Sequence, residues 1–251
     1  QAWGGKGGKG EKSIADVDED SVTMAVEAAM GCFRFVDRRN INALYFASTT
    51  GPYAEKSHAA LISVACDLKD EDVFTVDVMT STRAGTNALK AALDCASANP
   101  GQNVLVTAAD ARNGYPKSAQ ESGFGDAAAA VVVGTGDDLL AELDHFTSVS
   151  EEINDYWRNA GDKYTLHAEG RFCDEEGYLR EMKIILNKFE KETGIKAADF
   201  DKVVLVAQNA KLRGKIAAKF GIEPEKLVDT LLLNVGDAGA GHGLLGLVNA
   251  L

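Results

Sequence analysis

The sequence is poor in the side chains that hold metals, form cross-links or stack on bases. It has four cysteines, four histidines and 7% aromatic residues in a chain of 251. Cys32, Cys66, Cys95 and Cys173 form no C-x-x-C pair, and no histidine stands at ligand spacing beside them. That pattern argues against structural zinc and against a disulfide framework. Three of the four fall among small apolar neighbours in stretches that read as helices, so reduced, buried thiols in a cytoplasmic protein are expected. No apolar run approaches the ~18 residues a membrane span needs, and no segment reads as a signal peptide. No basic stripe interrupts a formal net charge of −12. Nucleic-acid phosphates and anionic membrane surfaces are therefore expected to be repelled. A small anionic ligand such as a CoA thioester needs only a few local cations and stays compatible with that charge.

Several catalytic signatures are missing as well. There is no G-x-S-x-G elbow for a serine nucleophile. The glycine- and lysine-rich start resembles a phosphate loop, but the chain gives Gly10-Glu11-Lys12-Ser13 where Gly-Lys-Ser is needed, with no strand before it. Residues 1–12 read instead as a loop. Gly241, Gly243 and Gly246 match G-x-G-x-x-G, but the chain stops five residues later, before the acidic residue a dinucleotide site requires. Close helix packing is the better reading. Of the histidines, His58, His145 and His167 read as structural or solvated. His242, set among glycines that expose the backbone, is the most interesting.

What remains is glycine, alanine and short apolar runs, the composition of a layered α/β fold in which small residues let helices approach sheets closely. Acidic residues at 18–20 open a helix. Strands are expected at 43–47, 73–78, 103–108 and 127–133, with an edge-like strand at 139–146. Helices are expected at 53–66 and 87–98, the second nearly surrounded by small apolar residues and so central. Beyond a polar, irregular segment at 147–175 come a helix at 176–192 stopped by Gly194, a strand at 203–207, and a helix at 211–220. A strand at 231–233, a glycine-rich turn at 234–243 and a helix at 244–251 follow. The order strand, small-residue turn, buried helix occurs around 73–98 and again around 230–251. Duplicated halves, 1–146 and 147–251, each giving a buried helix to a shared centre, would produce that echo. The Phe124-Gly125-Asp126 turn before the fourth strand reads as a core-packing point.

The order of these motifs resembles the 3-hydroxy-3-methylglutaryl-CoA synthase branch of the thiolase superfamily, near the type III ketoacyl synthases. It is most similar to archaeal and bacterial synthase-like proteins that travel with an OB-fold/zinc-ribbon partner. The resemblance runs from Trp3 to Leu251. It is carried by Gly10-Glu11-Lys12-Ser13, the stretch 18–27, Pro52-Tyr53-Ala54-Glu55-Lys56, Arg83-Ala84-Gly85-Thr86, Phe124-Gly125-Asp126, Asp155-Tyr156-Trp157-Arg158 and Gly170-Arg171-Phe172. It implies a thiolase-like fold of duplicated α-β-α-β-α layers with buried central helices. Relative to that fold, the chain is expected to lack a first strand and the closing strands. It also implies a homodimer, with contact through the strand near 103–108, and association with a thiolase.

In such enzymes a cysteine thiolate at the N-terminus of a buried helix takes the acyl group, where helix dipole and backbone N–H groups favour thiolate and oxyanion. A histidine and an asparagine stabilise enolate and thioester oxygens, and a glutamate moves protons. The resemblance puts the cysteine position on Thr82, preceded by Ser81. The glutamate falls on Thr49, the histidine on Val206 (or Ala207, one residue on), and the final asparagine on Asp237. Asn209 and the glycine framework, Gly236 and Gly239 included, match. Three functions are expected in order. The first is an acyl-CoA-binding subunit without condensing activity, supporting a thiolase/acyltransferase complex. The second is an acyltransferase that uses Ser81 or Thr82, with Asp237 or a partner's group as base. The third is a purely structural dimerising protein. No metal or cofactor is implied beyond acyl-CoA as ligand.

Overall fold

The computed structural model describes residues 10–68 and 72–251. Most of the loop expected over 1–12 lies outside the described residues. The centre is a four-stranded sheet built from the apolar runs: β1 (Ile41–Ser48), β2 (Phe74–Met79), β3 (Asn103–Asp110) and β4 (Ala127–Val133), in the order β2-β1-β3-β4. β1 runs parallel to both β2 and β3, while β4 is antiparallel to β3. β1 and β3 are buried almost throughout, as continuous apolar strands covered on both faces should be.

The two-residue period of the strands divides the core into two layers. Ala43, Tyr45 and Ala47 of β1, with Val104, Val106 and Ala108 of β3, face α3 (Ala84–Ala98) and α8 (His242–Ala250). Leu44, Phe46, Leu105 and Ala109 face the other way, against α1 (Ser21–Cys32) and α2 (His58–Ala65). α3 buries Ala84, Ala88, Ala92 and Ala96, a four-residue repeat that makes one smooth stripe. Leu244 of α8 and Ala240 before it join the same layer, so the two helices of the internal echo do share one centre.

Local chemistry sets the helix boundaries. Asp20 caps α1, its Oδ1 accepting from the N–H groups of Val22 and Thr23 at 2.8 and 2.9 Å, while the Thr23 hydroxyl oxygen accepts from Asp20 N–H. α2 starts at His58 rather than at residue 53. The Asp77 carboxylate of β2 accepts from the N–H groups of His58 and Ala59 at 3.0 and 2.7 Å, and Ser57 Oγ accepts from Ala60. These acceptors satisfy the orphan donors of the first turn at that point.

The short α4 (Ala119–Gly123) follows β3, and a two-stranded ribbon, β5 (Tyr156–Trp157) with β6 (Leu166–His167), lies in the polar segment. α5 (Gly170–Phe172) leads through a π-helical stretch (Cys173–Leu179) into α6 (Arg180–Thr193), and Gly194 ends it at φ 75°. α7 (Ala210–Lys219) packs Leu212 and Ile216 against Leu179 and Leu205 in a separate cluster.

Four expectations are corrected. Residues 139–146 form no strand and are largely exposed. Residues 203–207 make a single bridge, Val203 to Leu227, and no ladder. At 231–233 the chain turns, with Leu231 at φ 61°. In all three stretches the apolar run finds no neighbouring strand among the described residues, and a strand without a ladder leaves its backbone groups unpaired. Finally, β3 cannot carry a strand-to-strand dimer contact at 103–108, because both its edges are occupied by β1 and β4. The open edges among the described residues belong to β2 and β4.

Candidate active-site region

Asp110, at the end of β3 and fully buried, gathers the site. Its Oδ1 accepts from the Ser48 hydroxyl at 2.9 Å, the Thr49 N–H at 2.6 Å and the Thr50 hydroxyl at 3.0 Å. Its Oδ2 accepts from the Ala240 N–H at 2.7 Å. One carboxylate thus ties the end of β1 to the glycine turn before α8, with its burial offset by four donors. Gly239 sits in the left-handed region at φ 55°, and any Cβ there would collide with Asp110 Oδ2. Sequence reading missed Asp110; its signal is an acidic residue closing an otherwise apolar strand.

The turn before α3 adjoins this junction, because Gly85 lies directly against the Ala240 carbonyl. Ser81 and Thr82 are exposed there, ahead of the first helical residue. Ser81 Oγ accepts from Arg83 N–H at 3.2 Å. The Thr82 hydroxyl has no hydrogen-bond partner among the described residues. Thr49 is also at the junction. Beyond its N–H bond to Asp110, its carbonyl accepts from Arg158 at 2.9 Å, and its hydroxyl is buried without a partner.

Asp237 is held from several sides. Its Oδ1 takes an ion pair from Arg112 at 2.7 Å and a hydrogen bond from Gly239 N–H at 3.0 Å. Its carbonyl accepts from Arg112 and from Gly125 N–H, and its own N–H donates to Gly123 at 2.8 Å. Arg112 is 7% exposed and lies over the Phe124 ring at 4.0 Å. Gly236, at φ 92°, lets the turn pass within van der Waals reach of Gly125. The Phe124-Gly125-Asp126 turn is thus a packing point, with Asp126 accepting from Ala15 N–H at 2.9 Å.

Asp237 and Asn209 meet at a cleft of about 570 Å³, together with Phe124, Tyr156, Asp174 and Gln208. Asn209 uses its Oδ1 to cap α7 through Leu212 N–H at 3.0 Å. Tyr156 donates its hydroxyl to Gln208 at 3.4 Å, and burial raises its pKa, so it remains a phenol at neutral pH. Ser81, Thr82, Thr49 and Val206 do not line the cleft. Val206 is 37% exposed, and its carbonyl accepts from Tyr178.

The remaining candidates fold into structure. His242 is 1% exposed and accepts the Ala238 N–H on Nδ1 at 3.1 Å; burial lowers its pKa, so it is a neutral prop for the glycine turn. A Cβ on Gly246 would stand 2.6 Å from Val204, which makes the glycine repeat a helix-packing device. Burial raises the thiols of Cys32 and Cys173 and pushes Cys66 up to about 11, away from thiolate chemistry. Among the described residues no cluster of histidine, cysteine and carboxylates could hold a metal. Nor is any described helix long and apolar enough to cross a membrane.

No protein-family model matches the chain. Sequence comparison finds the hydroxymethylglutaryl-CoA synthase of Methanosphaera stadtmanae, 30% identical over 244 residues, covering 96% of this chain and 70% of the relative. That of Methanothermobacter thermautotrophicus is 32% identical with the same coverage. Among solved structures, an HMG-CoA synthase complexed with CoA superposes with a TM-score of 0.85 at 22% identity, over 95% of this chain and 64% of that one. A 3-oxoacyl-[acyl-carrier-protein] synthase III from Aquifex aeolicus gives 0.79 at 22% identity, over 95% and 77%. The chain therefore spans about 70% of the length of these curated relatives and under two thirds of the CoA-bound synthase. Its fold is thiolase-like, and the chain belongs to the hydroxymethylglutaryl-CoA synthase family.

Proposed function

We propose that this chain is an acyl-CoA-binding subunit of the hydroxymethylglutaryl-CoA synthase type that does not itself condense, with the cleft at Asp237 as its ligand site. The observation that carries the reading is the state of the nucleophile position. Thr82 is exposed, ahead of α3, and no base among the described residues touches its hydroxyl. A threonine hydroxyl is a poor nucleophile without a paired base. The other replaced positions support the same reading. Thr49 and Val206 carry no ionisable group to act as a general base, and Asp237 is engaged by Arg112.

The subunit would serve a thiolase/acyltransferase complex, with an OB-fold/zinc-ribbon protein as a further partner and a second copy of itself as dimer mate. A dimer formed by strand addition would use the open edge of β2 or β4.

The test is intact-mass spectrometry of the purified chain after incubation with acetyl-CoA. No mass increase is expected, alongside measurable acetyl-CoA binding by calorimetry. A stable acetyl adduct mapped to Ser81 or Thr82 would overturn the reading in favour of an acyltransferase using a hydroxyl. Absence of any binding would favour a purely structural subunit. Co-purification of the native protein, with its partners identified by mass, checks the complex.

A further inference from the structure

We infer that the cleft at Asp237 selects neutral acyl groups that carry a hydroxyl, and disfavours acyl groups that end in a carboxylate. The inference rests on the reading of this cleft as an acyl-CoA site and names the class of acyl group it takes.

Hydrogen-bond direction carries the argument. An amide side chain can donate as well as accept. A carboxylate only accepts. Arg112 and the Gly239 N–H fix Oδ1, while Oδ2 has no hydrogen-bond partner among the described residues and Asp237 lines the cleft. The oxygen left for a ligand is thus an acceptor on a side chain that cannot swing away. A ligand hydroxyl placed there donates to a charged acceptor. A ligand carboxylate meets like charge.

The rest of the wall fits the other end of such a ligand. Asn209 spends its oxygen on α7, and Gln208 Oε1 takes the Tyr156 hydroxyl. Their amide nitrogens have no hydrogen-bond partner among the described residues and can donate to a carbonyl oxygen. Phe124 and Tyr156 supply apolar surface between the polar groups. Among the described residues the wall holds a second carboxylate, Asp174, one imidazole, His167, whose Nδ1 lies 2.5 Å from the Ala168 carbonyl, and no lysine or arginine. The Arg112 side chain is 4% exposed and does not line the cleft; it pairs with Asp237 through one terminal nitrogen, and its Nε is buried without a partner, away from a ligand anion. A 3-hydroxyacyl thioester has both required features, a carbonyl acceptor and a hydroxyl donor, and no terminal charge.

The test is calorimetric titration of the full chain with three CoA thioesters: 3-hydroxybutyryl-CoA, butyryl-CoA and succinyl-CoA. A hydroxyl donating to a fixed carboxylate should make the first bind about tenfold or more tighter than butyryl-CoA. Succinyl-CoA should bind more weakly than butyryl-CoA. Asp237→Asn should erase the hydroxyl preference and improve succinyl-CoA. Because Asp237→Asn leaves Arg112 buried and unpaired, the double variant Arg112→Met with Asp237→Asn is measured beside it. The wild-type series decides the matter even if neither variant folds. Equal affinity for the three thioesters, or a preference for succinyl-CoA, overturns the inference and leaves acyl-CoA binding standing. Failure to bind any of them overturns both.

Discussion

Buried polar side chains in this protein act mainly as joints between segments distant in sequence. Asp110 shows the size of the effect, since its two oxygens serve four donors from β1, its following turn and the glycine turn. Asp110→Asn keeps the shape but turns one acceptor into a donor facing another donor. We predict a loss of about 2–3 kcal/mol, read as a lower urea midpoint with unchanged slope. His242 gives a pH signature. Its folded-state pKa lies below the unfolded value because burial disfavours the imidazolium. The unfolded chain therefore takes up the proton first as pH falls. The stability that the neutral ring contributes is present above the unfolded pKa and is lost as pH falls through the folded one. His242→Asn can still accept the Ala238 N–H without titrating. Between pH 7.5 and 5 the wild type should lose more stability than this variant, measured by urea unfolding at both pH values. Neither joint was visible as a contact in the sequence. Asp110 needed the partner 130 residues away to acquire meaning, whereas His242 was marked by its glycine neighbours. Of these, Gly241 packs against the Ala108 and Ala127 carbonyls and Gly243 against the Thr86 side chain.

Secondary structure was legible where a segment carries its own boundary chemistry. Asp20 and Thr23 announce α1, Gly194 ends α6, and the apolar runs of β1, β3 and β4 fell close to their expected places. It was illegible where the boundary belongs to another element. α2 begins at His58 because Asp77, on a different strand, accepts from its first N–H groups. The runs at 203–207 and 231–233 had strand composition but, among the described residues, no strand beside them. Glycines test the same distinction. Gly31 in α1 has open space where a Cβ would go, while a Cβ on Gly85 in α3 would run into the Ala240 carbonyl. Gly31→Ala should stabilise the protein by about 0.5 kcal/mol through helix propensity and reduced unfolded-chain entropy. Gly85→Ala should destabilise it by about 2 kcal/mol or more, because overpacking there parts α3 from the glycine turn. Thermal unfolding of the pair, with opposite signs for one substitution type, separates packing from propensity.

At the scale of the molecule, the positions that the resemblance assigns to the site converge from both ends of the chain. Thr49 follows β1, Thr82 precedes α3, and Asp237 lies in the turn before α8; Asp110 and the contact of Gly85 with Ala240 hold these three regions together. This junction is made of backbone groups, glycines, the Ser48 and Thr50 hydroxyls and one buried aspartate, none of which depends on a nucleophile at position 82. Catalysis has a different dependence. A thiolate alone does not condense two acyl groups; it needs a proton-moving group and donors for the developing oxyanion. The proposed function therefore predicts the outcome of restoring only the first part. Thr82→Cys places a thiol just before the N-terminus of α3, exposed and favoured by the helix dipole. It should react readily with iodoacetamide, and intact mass should show one added carbamidomethyl group relative to wild type under mild conditions. It should even accept an acetyl group slowly from acetyl-CoA. It should not release a condensed product, because Thr49, Val206 and Asp237 supply neither the base nor the neutral amide that the second half-reaction requires. Condensation restored by Thr82→Cys alone would mean that groups outside these positions, or from a partner chain, complete the site.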